Sequence, residues 1–306
     1  MGVPIIASDC GALSERIVDG ENGFLVPAGD AKVLAAKLIE VMENPEMLEK
    51  VASHLKGYRT KTLKENTEDY AELYNNLLFK SGTATAQENE YKVEVTQQPG
   101  LLSIIILTCN KLAYTKRCVE SIQRHTPEPH EIIFVDNGSN DDTLNWIKNL
   151  IKGKTEYFLI RNMKNLGFPK GCNQGIESAR GDLVLLLNND TVVTEGWISG
   201  MLECLKSTAD VGIVGPMTNC ISGIQQVPTV GYSNIEGFCQ FAKTFRDRNR
   251  YRRIESRRIV GFCMMFRRSL VDEIGYLDES FGSGNFEDDD FCLRATLAGY
   301  QNMIAG

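Results

Sequence analysis

Three histidines in 306 residues, none in an HExxH arrangement, leave zinc hydrolysis without its ligands. Nine cysteines are scattered along the chain with no CxxC pair, and their number is odd. That pattern argues against a zinc ribbon or a disulfide framework and fits buried thiols in a reducing compartment. Neither GxxxxGKS/T nor GxGxxG occurs, so P-loop and dinucleotide-binding readings have no support. No apolar run approaches the ~18 to 20 residues of a membrane-spanning helix. The N-terminus has neither the basic nor the apolar region of a signal peptide, and the expected location is cytoplasmic. Basic charge is also short. With 33 Lys and Arg against 40 Asp and Glu, the net charge of -7 argues against a nucleic-acid partner.

What is present suits a globular α/β protein. Hydrophobic residues make up 42% of the chain, enough for one large domain or two smaller ones. Residues 80 to 100, "KSGTATAQENEYKVEVTQQPG", are small, polar and poor in large apolar side chains, and read as a linker between pieces 1–79 and 101–306. In the first piece, "VPIIAS" and "GFLV" suggest short buried strands. Asp30 is placed to N-cap the helical run "AKVLAAKLIEVMEN", Pro45 restarts a second helix, and "ENTEDYAELYNNLLF" reads as a third. Two strands make a poor free-standing α/β domain. The stretch "GVPIIASDCGALSERIVDGENGFLVPAGD" resembles the end of the second domain of a GT-B glycosyltransferase of the family-4 type. The Glu-x7-Glu donor motif of such enzymes would precede the first residue here; Glu15 and the Gly20–Gly23 turn remain. The resemblance implies a partial, Rossmann-like remnant or docking module.

From residue 101 strands alternate with helices. "LLSIIILT", "EIIFVD", "YFLI", "DLVLLL", "VGIVG" and "IVGFCMMF" are continuous apolar runs, as in a mostly parallel sheet covered on both faces. Ligands of such sheets bind beyond the carboxyl ends of the strands. The first run ends at Thr108 and Asn110, the second at Asp136 and Asn137, the fourth at Asn188, Asn189 and Asp190. Each alone is turn chemistry. Together they place hydrogen-bonding and acidic groups on one rim.

"SIIILTCNK", "EIIFVDNGSNDDT", "NLGFPKGCNQGIESARGDLVLLLNND", "VGFCMMFRRSL" and "FEDDDFCLRATLAGY" resemble, in order and spacing, a family-2 glycosyltransferase of GT-A fold. They are most similar to the bacterial rhamnosyltransferase-like branch. The resemblance implies inverting, metal-dependent transfer from a UDP- or dTDP-sugar to a cell-surface glycan or lipid-linked acceptor, in polysaccharide biosynthesis. It makes Asp190 the ligand of Mn2+ or Mg2+, with Asn188 and Asn189 standing where the family's Asp-x-Asp begins. Asp136 accepts from the uracil or thymine edge, and Thr108 lies beside the base or is an ordinary buried hydroxyl. Asn165, Gly167, Gly171 and Asn173 form a turn that lets backbone approach the nucleoside. The acceptor's proton goes to a carboxylate, first Asp288, then Glu287. Four adjacent acids, Glu287 to Asp290, also suit the first turn of a helix, while their mutual repulsion raises the pKa of at least one.

"FRDRNRYRRIESRR", residues 245–258, carries seven arginines in an acidic chain. It reads as a solvated helix face or as a patch for a phosphate-bearing lipid acceptor or the anionic inner face of a membrane. The family's pattern continues past "GYQNMIAG" through a strand to a metal-binding histidine, so the chain is expected to be a fragment of a tandem glycosyltransferase. Two rivals stand beside this reading. One is a non-catalytic nucleotide-sugar-binding fragment. The other is a sugar nucleotidyltransferase, which needs a glycine-rich loop after the first strand, where "TCNKLAYTKR" has no glycine.

Overall fold

A computed structural model describes residues 3–9, 17–56, 97–221, 223–227, 229–282 and 284–306. Glu15, the third expected helix and most of the expected linker lie outside them. The chain divides into two units, Met1–Tyr91 and Lys92–Gly306.

In the first unit, β1 (Ile6–Asp9) pairs in parallel with β2 (Phe24–Pro27), followed by α1 (Ala31–Glu43) and α2 (Pro45–Lys56). Asp30 caps α1 as its sequence suggests, accepting the N–H groups of Lys32 and Val33 at 3.0 and 3.1 Å. Phe24, Val41 and Val51 form a small core.

The second unit is an eight-stranded sheet. Its elements in chain order are β3 (Gln98–Thr108), α3 (Leu112–His125), β4 (His130–Asn137), α4 (Thr143–Leu150), β5 (Tyr157–Asn162), α5 (Phe168–Ser178), β6 (Gly181–Asn188), α6 (Trp197–Leu205) and β7 (Val211–Pro216). Then follow α7 (Ile235–Asn249), β8 (Arg253–Glu255), β9 (Cys263–Arg267), α8 (Arg268–Ile274), α9 (Glu287–Leu297) and β10 (Gln301–Ala305). The spatial order is β5-β4-β3-β6-β9-β7-β10-β8. All pairings among β3 to β6 are parallel, as is β7 with β10; β9 and β8 run against their neighbours.

The strands are buried on both faces because their apolar residues are continuous. Ile104, Ile106, Phe134, Leu185 and Leu187 meet Cys118, Val119 and Ile122 of α3 on one side. Ile105, Ile133, Val184 and Leu186 meet Ile176 of α5 and Phe291 of α9 on the other. Each such side chain contributes roughly 1.5–3 kcal/mol by leaving water. At the end of the sheet opposite the rim, buried Glu131 accepts from Ser103 Oγ at 2.6 Å and from Arg180 N and Nε at 2.7 Å each, tying β3, β4 and the start of β6 together.

Three features differ from the sequence reading. The apolar run 259–266 is strand only from Cys263, and antiparallel. The arginine-rich stretch is not one helix: α7 ends at Asn249 and β8 pairs with β10. Finally, β3 begins at Gln98, inside the segment read as linker.

Candidate active site at the carboxyl rim of the sheet

Register sets the rim. Thr108 is opposite Asp136, Leu107 is opposite Asn188, and Leu187 is opposite Cys263. The ends of β4, β3 and β6 and the start of β9 therefore lie side by side.

Asp136 is the outstanding group on this rim. It is fully buried, and neither carboxylate oxygen has a hydrogen-bond partner in the structure. Beside it, burial first and then the charges of Asp136 and Asp141 push the Cys109 thiol up. Thr108 is also fully buried. Its hydroxyl donates a long 3.4 Å bond to the Val135 carbonyl, which is the plainer of its two readings.

The loops after β3 and β4 are stapled together. Asn110 and Lys111 both adopt left-handed backbone, at φ 61 and 63, uncommon for residues with a Cβ and concentrated at functional sites. Asn110 Oδ1 accepts the N–H groups of Asn140 and Asp141 at 2.8 and 3.3 Å, which ties the two loops together. Behind the rim runs a network of amides, two of which, Asn162 and Gln174, the sequence did not single out. Asn137 Nδ2 donates to Asn165 Oδ1 (2.8 Å) and to the Gly167 carbonyl (3.1 Å), and Asn137 Oδ1 accepts from Asn162 Nδ2 and Leu166 N. Asn162 in turn exchanges hydrogen bonds with Gln174. The signal was there for Asn162, which ends its strand as Asn137 and Asn188 end theirs.

The glycine turn splits into two roles. Asn165 is exposed and Gly167, at φ 91, shapes the turn into α5. At Gly171 a Cβ would run into the Leu107 side chain, so this glycine lets α5 pack against β3. Asn173 is buried, donates to the Leu277 carbonyl at 2.8 Å and accepts the Leu277 N–H at 3.1 Å, clasping a loop.

At the end of β6, the Asn188 N–H donates to the Phe262 carbonyl (2.8 Å) and Asn189 Nδ2 donates to Thr115 Oγ1 on α3 (2.9 Å). Asp190 is exposed, and its side chain has no hydrogen bond or ion pair among the described residues. Asn188 and Asp190 open on a cleft of about 740 Å3 walled by Tyr114, Phe262 and the aromatic side of α7, Phe238, Phe241 and Phe245. Among the described residues no three His, Cys, Asp or Glu side chains gather to hold a metal ion. The donor set thus fits only a hard cation held by one carboxylate and completed by phosphate and water oxygens, as Mg2+ commonly is.

The acidic turn of α9 faces the start of β9. Asn285 and Phe286 enter it at φ 87 and 77. Asp288 is buried; its Oδ2 accepts the Gly261 N–H at 2.9 Å and its Oδ1 the Asp289 N–H at 2.9 Å. Glu287 is buried with Oε2 unpartnered. Loss of water raises its pKa from 4.5 to about 7, with further push from Asp288 and Asp289 against backbone N–H donors. Asp290 belongs to the scaffold, paired at 2.8 Å with Arg294, which also holds the carbonyls of Ile274 and Tyr276.

The arginine run lies mostly at the surface, and four of its seven side chains have protein partners among the described residues. Arg246 donates to the Glu195 carbonyl, Arg250 pairs with Glu203 at 3.3 Å, Arg253 donates to the Glu203 carbonyl at 3.2 Å, and Arg258 pairs with Asp289 at 3.1 Å. Among the described residues no helix is long and apolar enough to cross a membrane.

A mostly parallel sheet with β9 inserted antiparallel and β8 antiparallel at its edge, carrying acids and amides on its carboxyl rim, has the architecture of a GT-A-fold glycosyltransferase. The chain belongs to glycosyl transferase family 2, whose profile matches residues 103–275, more than half its length. Residues 1–56 match the profile of glycosyl transferases group 1. An uncharacterized protein, y4gI, of Sinorhizobium fredii is 30% identical over 212 residues, 66% of this chain and 23% of that protein. The GalNAc(5)-diNAcBac-PP-undecaprenol beta-1,3-glucosyltransferase of Campylobacter jejuni is 33% identical over 122 residues, 39% of this chain and 38% of that one. The chain thus spans well under half the length of the curated relatives it matches. A crystal structure of GalNAc-T7 with UDP, GalNAc and Mn2+ shares the fold, with TM-score 0.55 and 16% identity over 67% of this chain and 41% of that one.

Proposed function

We propose that the chain moves a hexose or deoxyhexose from a UDP- or dTDP-sugar to a hydroxyl of a cell-surface glycan or lipid-linked acceptor, with inversion. The observation that carries this reading is Asp136, a buried carboxylate with both oxygens unpartnered at the ligand-binding edge of a parallel sheet. An unsatisfied buried acceptor costs about 1–3 kcal/mol. The imide N–H of uracil or thymine is a donor that removes that cost. Two strand spacings, roughly 10 Å, separate the end of β4 from the end of β6, a span suited to a nucleobase at one and a diphosphate at the other.

In this reading Asp190 holds Mn2+ or Mg2+, with Asn188 and Asn189 beside it, and Asn165 and Gly167 shape the turn against the nucleoside. Asp190 would hold the cation, which when bound would supply charge stabilisation to the donor's diphosphate. Asp288 takes the proton of the acceptor hydroxyl, its carboxylate oriented by the Gly261 N–H, and Glu287 is the second candidate for that step. Side chains of Arg248, Arg252 and Arg257, unpaired among the described residues, leave positive charge for a peripheral contact with an anionic membrane from the cytoplasmic side. Equal co-sedimentation with neutral and anionic liposomes would remove that contact.

A second reading, a non-catalytic nucleotide-sugar-binding module, is favoured by the lone carboxylate at the metal position. A thermal-shift screen of nucleoside diphosphates with and without Mn2+, followed by assay of UDP release, separates the two. Stabilisation by UDP or dTDP with metal-stimulated release supports transfer; stabilisation without release supports the module; no stabilisation by any nucleotide removes both.

A further inference from the structure

The last residue of the arginine run faces the acidic turn. Arg258 Nε lies 3.1 Å from Asp289 Oδ1, and Nη2 lies 3.9 Å from Asp288 Oδ2. The segment carrying it is fastened residue by residue. Ser256 Oγ donates to the Arg258 carbonyl at 2.6 Å, and the N–H of Ile259 meets Cys292 Sγ on α9 at 3.2 Å. The N–H of Val260 donates to Gln225 Oε1 at 2.8 Å, and that of Gly261 to Asp288 Oδ2 at 2.9 Å. One short segment, 258–261, therefore delivers both a backbone donor and a cation to the same carboxylate. Its next residue, Phe262, accepts the Asn188 N–H, which joins the acidic turn to the rim that carries Asp190.

We propose that Arg258 is a positioning residue for glycosyl transfer, holding the Asp288 carboxylate in one orientation and offsetting the negative charge of the turn around it. The inference rests on Asp288 being the proton acceptor. Stability alone does not account for the contact. Arg258 is 46% exposed at its side chain, and exposed ion pairs contribute only about 0–1 kcal/mol. The charged and titratable groups around Asp288 are Glu287, Asp289 and Asp290 on its own helix, the Cys292 thiol and Arg258, with the Cys172 thiol beside Glu287. Asp290 is already paired with Arg294. The planar guanidinium reaches two carboxylates at once, which a lysine ammonium on its flexible stem does less well. Arg258 opposes the burial that raises the Asp289 carboxyl, so removing the cation lets Asp289 hold its proton more tightly and changes the charge beside Asp288.

The test compares wild type, Arg258→Gln and Arg258→Lys. In R258Q we expect kcat to fall about 10-fold at neutral pH with donor KM unchanged. R258K should restore only part of kcat. A second readout is independent of turnover: the 13C shift of the Asp288 carboxyl at fixed pH, assigned with D288N, should change in R258Q and return towards its wild-type position in R258K. An unchanged kcat or an unchanged Asp288 signal in R258Q would overturn the inference. Wild-type protein inactive with every donor would sink the proposed function instead, and the carboxyl signal would still decide whether Arg258 holds Asp288.

Discussion

Asp288 accepts the backbone N–H of Gly261 at 2.9 Å, across a sequence separation of 27 residues. That bond aims a buried carboxylate from the first turn of α9 at the start of β9. Asparagine at this position keeps one oxygen for the Gly261 N–H, gives up the acceptor of the Asp289 N–H, and cannot take a proton. Asp288→Asn should therefore leave UDP affinity intact, at a cost in stability of about 1–3 kcal/mol, while lowering kcat by about 10²–10⁴-fold, the range of a general base. Steady-state rates with equilibrium nucleotide binding check this; near-normal turnover would move the base elsewhere.

Glu287 makes stability depend on pH in a defined direction. Its folded pKa, about 7, lies above its ordinary value of 4.5. The unfolded chain loses this proton near 4.5 while the folded chain keeps it, so stability is fullest below that value. It falls as pH rises between the two values and is level above them. Glu287→Gln has no proton to lose. Relative to that variant, wild type should lose roughly 2 kcal/mol between pH 4.5 and 7, or about 5 °C in Tm, after allowance for solvent screening. Parallel melting curves of the two proteins across this range would contradict the burial of Glu287.

Much of the fold was legible in the chain because buried parallel strands announce themselves as unbroken apolar runs, and Asp30 announces its helix. The rim was legible from strand ends alone, including Asp136 and Asp190. Other features were hidden for physical reasons. Glycines that seat a helix on a strand look the same in sequence as glycines that cradle a ligand, and Gly171 is of the first kind. Asn110 and Asn173 both hold loops through hydrogen bonds to segments 30 to 104 residues away, which no local pattern reveals. Direction is invisible in a short apolar run, so which strand of the mostly parallel sheet runs against the rest, β9 among them, could not be read from it. Arg258 looked like six other arginines until the fold brought Asp289 to it.

Lys111 sits exposed with φ 63 and ψ 44, a left-handed conformation that costs a residue with a Cβ about 1–2 kcal/mol. Glycine adopts it freely but loses more entropy on folding. Lys111→Gly should raise stability by about 0.5–1 kcal/mol, visible as a Tm increase of roughly 2–3 °C. A lower Tm would mean that the lysine side chain contributes contacts that outweigh the strain.

The most direct test of nucleotide recognition at this rim is calorimetric titration of UDP with Mn2+ into wild type and Asp136→Asn. An asparagine offers one acceptor and an unwanted donor where the imide N–H arrives, so affinity should fall by at least about 10-fold, the equivalent of 1.4 kcal/mol. Equal affinity in the two proteins, or no UDP binding to wild type at all, would contradict the assignment of Asp136 to the nucleobase and with it the account of this site.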